Sequence, residues 1–296
     1  MTDLPIRQAI ALPEIAAMKR AGTKIVMVTA YDHPSARLAS EAGIDLLLVG
    51  DSAGNNVLGY ESTVPVDMEE AVLLTAAVAR ARPRSLVIGD MPFGSYQASD
   101  AEAVANAVRL VKAGADAVKL EGAGPMVSRV RSIVDAGIPV MGHLGLTPQS
   151  ATKLGGMKAQ GRTAASARQL LADARDLQVA GAFSLVLEAV PAQIAKRVTE
   201  ALTIPTIGIG AGAGCDGQVL VWHDVLGINE GVAPRFVKRY ADVAGEIRRG
   251  LTAFAADVRS GAYPSEEHEY KISAEELKAF EELPPGIGDD AVFRDW

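Results

Sequence analysis

The chain has 296 residues, and the 49% of them that are apolar can bury the core of one large domain, which excludes a fragment or a small stapled scaffold. A charged fraction of 22% with this apolar content excludes a disordered or fibrous chain. The net charge of −7 resides entirely in residues 264–296, so the neutral remainder offers none of the basic surface that nucleic acid demands.

The opening MTDLPIRQAI has neither the basic start nor the apolar stretch of a secretory leader, and no run of 18 apolar residues follows. A cytoplasmic protein is expected. A helix over 14–21 precedes the first of eight short runs rich in Val, Ile and Leu. These runs, 24–30, 44–51, 85–91, 117–122, 139–145, 183–190, 204–210 and 218–222, read as strands buried on both faces of a parallel sheet. Helical stretches between them include 66–81, 100–113, 164–180 and 192–202, with Asp67, Asp100 and Thr163 placed as N-caps and Pro191 in a first turn. Several of these stretches end in Ala-Gly or Gly-Ala, where glycine supplies a left-handed cap before the next strand. The alternation alone fits an open doubly wound sheet as well as a closed barrel.

The placement of polar residues separates the two. Asp51, Asp90, Glu121, His143 and Glu188 each sit at or just before the C-terminal end of a predicted strand, on five strands in succession. A (β/α)8 barrel gathers those ends on one rim, whereas an open sheet spreads them across its width. The expected architecture is a single (β/α)8 barrel over 1–263, its bottom plugged by the 14–21 helix, followed by an acidic extension over 264–296.

Three carboxylates, Asp51, Asp90 and Glu121, delivered by neighbouring strands into a partly dry pocket require a compensating cation. Oxygen donors with open positions for water and substrate suit Mg2+. Zn2+ is disfavoured, because four His and one Cys show no HxxxH, HExxH or CxxC spacing. Lys119 and Glu121 lie two apart, so strand alternation turns both to one side, where Lys119 must meet a carboxylate such as Asp90 or an anionic ligand. Glu188 ends the apolar run FSLVLE with no Lys or Arg close in sequence, company that favours a general acid or base over a surface carboxylate. His143 is read equally as a donor to an oxyanion and as a core histidine satisfied by a backbone carbonyl.

The run GIGAGAGCDG lacks the strand-helix context of a dinucleotide fingerprint, so its glycines point to close backbone approach to a ligand or to tight turns. It holds the single cysteine, Cys215, which excludes an internal disulfide and suits a reducing compartment. Beyond Pro264 the tail reads as a helix over 274–283 and then an extended end, solvated or packed on a neighbouring copy.

The blocks TAYD, LLLVGDSAGNNVLGYESTVPV, GDMPFGSY, VKLEG, PVMGHLGLTPQS, GGMKAQGR, LVLEAVP and IPTIGIGAGAGCDGQVLVWHDVLG together resemble the ketopantoate hydroxymethyltransferase family, from about 24 to 259. The resemblance implies a barrel of the phosphoenolpyruvate/pyruvate type that uses Mg2+ and forms a homo-oligomer, commonly a decamer. It implies transfer of a one-carbon unit from 5,10-methylenetetrahydrofolate to 3-methyl-2-oxobutanoate. Residue by residue, it implies Asp51, Asp90 and Glu121 at the metal, Ser52 and Lys119 on the oxoacid together with Asp51 and Asp90, His143 in the same pocket, and Glu188 as proton acceptor. One rival is a Mg2+-dependent enzyme of the isocitrate lyase or phosphoenolpyruvate mutase kind, which resembles a KKCGH-type catalytic loop where this chain reads GGMKAQGR. The other is a non-catalytic binding barrel.

Overall fold

The computed structural model describes residues 9–231 and 233–282, which fall into two compact units, one up to Val243 and one from Ala244. In the first unit, α1 (Leu12–Ala21) leads into β1 (Ile25–Thr29), α2 (His33–Glu41), β2 (Leu46–Val49), α3 (Ala53–Asn56), α4 (Met68–Arg80), β3 (Leu86–Asp90), α5 (Asp100–Ala113) and β4 (Ala117–Glu121). Then come α6 (Met126–Asp135), β5 (Val140–Gly145), α7 (Ala164–Val179), β6 (Ser184–Glu188), α8 (Ala192–Ala201), β7 (Thr206–Ile209), β8 (Gly217–Leu220) and α9 (Trp222–Val225). The eight strands are parallel and close in sequence order, with β8 pairing back onto β1 through Ile25 and Gly217. The expected barrel is the observed one.

Period-2 alternation sorts the strand residues between two cores. Ile25, Met27, Leu46, Leu48, Leu86, Ile88, Ala117, Met141, Val186, Ile207 and Val219 pack together inside the barrel, and Ile15 of α1 joins them with Leu12 and Met18. The first helix therefore does plug the bottom. The alternate residues, such as Val87, Val118 and Leu185, face outward and pack in the outer clusters with the helices. Asp67 and Thr163 cap α4 and α7 by accepting from Glu70 N–H and Ser166 N–H. At α5 the cap is Ser99, which accepts from Glu102 N–H at 3.1 Å. Asp100, expected there, is instead the first helical residue and pairs with Arg129. Pro191 likewise stands one position before α8, and Trp222, expected to end the last strand, begins α9.

The second unit holds all but the first residue of α10 (Val243–Ser260), together with α11 (Ala274–Glu281). The charge-defined boundary at 263/264 lies inside it. Phe254 of α10 meets Tyr263 edge-on at 5.6 Å, and Tyr263 meets His268 at 5.0 Å, so packing joins α10 to the segment in which the acidic charge begins. The extended end expected after 283 lies outside the described residues. Among the described residues no helix is long and apolar enough to cross a membrane.

Ile88 is fully buried at the centre of the inner core. Ile88→Ala is expected to lower the unfolding free energy of the purified protein by about 2–5 kcal/mol, read from the shift of the urea midpoint. A cost under about 1 kcal/mol would mean that the inward face is not close-packed.

Candidate active site

The inward face that fills the barrel below turns polar at its mouth. Two residues beyond Ile88, Ala117, Met141 and Val186, on the same face of their strands, stand Asp90, Lys119, His143 and Glu188, and Glu121 is two beyond Lys119. Register sets them side by side, with Asp90 opposite Lys119 and Glu121 opposite His143. β2 stops short of the mouth, and Asp51 N–H donates to Asp90 Oδ2 at 3.1 Å. Gly145 ends β5 at φ +93°, where a Cβ would run into the Glu188 carbonyl oxygen, so glycine lets the chain turn over the neighbouring strand. All seven residues singled out from the sequence, Asp51, Ser52, Asp90, Lys119, Glu121, His143 and Glu188, line one cavity of about 290 Å³.

Charges inside this cavity are tightly interleaved. Lys119 Nζ lies 2.8 Å from Asp90 Oδ1 and 3.9 Å from Glu121 Oε1. His143 stands between two carboxylates, Nδ1 3.3 Å from Glu121 Oε1 and Nε2 3.2 Å from Glu188 Oε2. Both ring nitrogens thus face carboxylates from the strands on either side, not the backbone carbonyl expected of a core histidine. Glu188, whose sequence neighbours are apolar, thus gains a polar partner across strands.

Burial and the Lys119 ammonium both disfavour the imidazolium, yet Glu121 and Glu188 outweigh them and raise the His143 pKa to about 9. Lys119 Nζ also lies 3.4 Å from His143 Nδ1, so that nitrogen is shared between the ammonium and the Glu121 carboxylate. Burial would lower the Lys119 pKa, but Asp90, Glu121 and Asp51 hold it above the usual lysine range. Burial would raise Glu121, but the His143 hydrogen bond holds it below the usual carboxylate range. Asp90 is raised by burial despite Lys119. Asp51 shows the imbalance most plainly: burial, then the charge of Asp90, push it up to about 8.

Five carboxylates line the cavity, Asp51, Asp90, Glu121, Glu188 and Asp224, against two cations, Lys119 and His143. Asp90 Oδ1 also makes no well-angled hydrogen bond, although Nζ is close. A further positive charge fits here. Among the described residues no three acidic or imidazole groups are assembled into a ready cage. The donor set therefore suits a hard divalent ion that takes few protein oxygens and fills its shell with water and substrate.

Sequence reasoning did not find Gln149 and Tyr96, both buried: Gln149 N–H donates to the Glu121 carboxylate, and the Tyr96 hydroxyl accepts from the Glu121 backbone N–H. Neither carries a charge or ends a strand, so no signal marked them. The glycines of GIGAGAGCDG serve packing: a Cβ on Gly212 would collide with Ala192 of α8. A larger cleft of about 620 Å³ lies beside the site, between the loop after β4 and the first half of α7.

The sequence model of the family described as ketopantoate hydroxymethyltransferase matches residues 9–266. The 3-methyl-2-oxobutanoate hydroxymethyltransferase of Moorella thermoacetica is 56% identical over 266 residues, which cover 90% of this chain and 99% of that one. Among solved structures, 2,3-dimethylmalate lyase, described as a member of the PEP mutase/isocitrate lyase superfamily, superposes with a TM-score of 0.56 at 14% identity, over 93% of this chain and 95% of its own. Phosphonopyruvate hydrolase in complex with oxalate and Mg2+ gives 0.57 at 12%, over 91% and 95%. At such identity the two structures speak for the fold.

A histidine whose pKa the fold raises contributes stability that is complete below its unfolded value near 6.5 and is lost as pH climbs through about 9. The melting temperature of His143→Gln is therefore expected to lie further below wild type at pH 6 than at pH 9.5. An equal gap at both would show that the ring is not protonated in the folded protein.

Proposed function

The chain belongs to the ketopantoate hydroxymethyltransferase family, and from that membership we propose how the mouth of its barrel performs the reaction. The activity is the family's: a hydroxymethyl group is transferred to 3-methyl-2-oxobutanoate, giving 2-dehydropantoate in the first step of pantothenate synthesis. In this proposal the one-carbon donor is 5,10-methylenetetrahydrofolate and the missing positive charge is Mg2+.

Asp51 and Asp90 would hold the ion, with Glu121 as the third associated carboxylate. When bound, it would act as a Lewis acid on the keto group of the substrate, worth several kcal/mol of charge stabilisation. Lys119 and Ser52 orient the oxoacid. The Ser52 hydroxyl is itself fixed by the Tyr31 hydroxyl at 2.9 Å, and Lys119 is fixed by Asp90. His143 completes the oxoacid wall and steadies Glu188, which takes the proton from C3. The electron pair left on C3 forms the new bond to the methylene carbon of the folate. Both folate C–N bonds to that carbon break, water adds its oxygen as the hydroxyl, and the C3 proton on Glu188 and the proton shed by water pass to N5 and N10 of the departing tetrahydrofolate. Positioning of this kind lets the two reactants meet as if in one molecule.

The observation that carries the assignment is the surplus of carboxylate at one rim, five acids lining the cavity against two cations, three of them (Asp51, Asp90 and Glu121) buried, with the Asp51 carboxyl pushed up to about 8. A non-catalytic barrel gives no reason for such strained electrostatics. The mutase-type rival needs a reactive cysteine at the mouth, but Cys215 is buried just before β8, at the opposite end of the barrel. A homo-oligomer, with ten copies in the cytoplasm, belongs to the same proposal and rests on family resemblance.

Asp90→Ala is expected to abolish Mg2+-dependent turnover while unfolding stays cooperative, and wild-type activity retained in EDTA would defeat the metal assignment. Exchange of the C3 hydrogen of 3-methyl-2-oxobutanoate in deuterated water isolates the proton step. Glu188→Gln should keep oxoacid binding yet slow that exchange by about 10²–10⁴, and an unchanged rate would remove Glu188 from the role of base.

A further inference from the structure

The reaction leaves unused a buried polar segment, the one-turn helix Pro148–Ser150 that follows β5. At its centre every side-chain hydrogen-bonding atom of Gln149 is committed. Nε2 donates to Asp51 Oδ2 at 2.9 Å and to the Met91 carbonyl at 3.0 Å. Oε1 accepts from the Tyr96 hydroxyl at 2.6 Å. The backbone N–H of Gln149 donates to Glu121 Oε2 at 3.1 Å. One residue thus touches carboxylates from two different strand ends.

Tyr96 fixes which way the amide points. Its hydroxyl oxygen accepts from Glu121 N–H at 3.2 Å, and a backbone N–H can only donate, so the one phenolic proton goes to Gln149 Oε1. The carbonyl of the amide then faces Tyr96 and its NH2 faces Asp51. The flipped amide would set oxygen against the Asp51 carboxylate and leave the phenolic proton without an acceptor, a cost that burial magnifies. Tyr96 is 1% exposed and Gln149 is 5% exposed, so water is poorly placed to substitute for either bond.

We propose that Tyr96 and Gln149 are a positioning pair for the cation site: Tyr96 sets the direction of the amide, and Gln149 braces Asp51 and Glu121 into one acidic unit. The inference rests on the reading that these carboxylates take a divalent cation. Neither residue needs to touch the ion or the oxoacid. Groups that hydrogen-bond to ligating carboxylates typically govern metal affinity over about one to two orders of magnitude.

Mn2+ serves as a spectroscopic probe, titrated into the full-length protein with and without 3-methyl-2-oxobutanoate and followed by electron paramagnetic resonance. Tyr96→Phe and Gln149→Leu are each expected to raise the Mn2+ Kd about 10- to 100-fold. The double variant should be no weaker than the worse single one, because both lesions act through one bond. At saturating Mn2+, kcat of Tyr96→Phe should return toward wild type, as no group touching the substrate has been lost. Tyr96→Phe removes a single oxygen and carries the test should Gln149→Leu not fold. A Kd within about twofold of wild type in Tyr96→Phe, or losses that add in the double variant, would overturn the pair while leaving the cation reading intact. Wild-type protein that binds no Mn2+ would overturn both.

Discussion

The contact on which the site depends is the buried ion pair of Lys119 and Asp90, 2.8 Å apart with both side chains under 5% exposed. Removing one partner of such a pair leaves an uncompensated charge at a cost of about 3–5 kcal/mol, whereas a matched apolar pair would often be as stable or more so. The pair is therefore poorly explained as a stabilising device. It makes sense as the anchor of a polar cluster: Lys119 neutralises part of Asp90 and Glu121, His143 neutralises part of Glu121 and Glu188, and the remainder keeps the cavity short of positive charge. Under the proposed function, that shortage is what draws in a cation and, with it, the anionic oxoacid.

The barrel can hold this cluster because it separates stability from chemistry along its axis. Below the mouth, inward positions are apolar and close-packed from Ile15 up to Ile88 and Met141. The bottom is tied by Lys19, whose ammonium lies 2.7 Å from Asp216 and donates to the Thr199 carbonyl. The switch from apolar to charged takes place within single strands: Ala117, Lys119 and Glu121 succeed one another on one face of β4. The backbone hydrogen bonds that hold the apolar half of each strand thus fix the charged half to the same register.

This axial change of polarity also explains what could be read from the sequence. Strand ends are legible because burial on both faces makes each strand a short apolar run, and a carboxylate or histidine interrupting that run has to face something polar. Asp90, Lys119, Glu121, His143 and Glu188 were found in that way, as were all eight strands. Gln149 and Tyr96 were not, because each lies in a segment after a strand end where turn residues and polar residues are unremarkable, and their partners lie across the mouth in distant sequence. The Ser99 cap was missed for a smaller reason: Ser99 and Asp100 are both good capping residues, and the Arg129 guanidinium takes Asp100 away. The second compact unit begins before the acidic segment because aromatic packing, invisible to charge counting, draws α10 into it.

A shared barrel does not carry a shared reaction, and the position of one residue shows why. An acid-base cysteine requires a thiol at the mouth, whereas the thiol of Cys215 is buried just before β8, where burial raises its pKa and neighbouring threonine hydroxyls oppose that rise. What the mouth holds instead is Glu188 beside His143, and Cys215 is not among the residues that line the cavity. A carboxylate beside His143 can take a proton from carbon without becoming a nucleophile itself, and under the proposed function Glu188 on β6 would act two strands away from Glu121 on β4, the nearest of the carboxylates proposed for the cation. His143 on β5 stands between the two, 3.3 Å from Glu121 and 3.2 Å from Glu188, so in that proposal proton removal and charge stabilisation fall on either side of one imidazole. An oxoacid held there would, in the same proposal, meet the base on one side and electron-withdrawing groups on the other, as carbon-carbon bond formation at C3 requires.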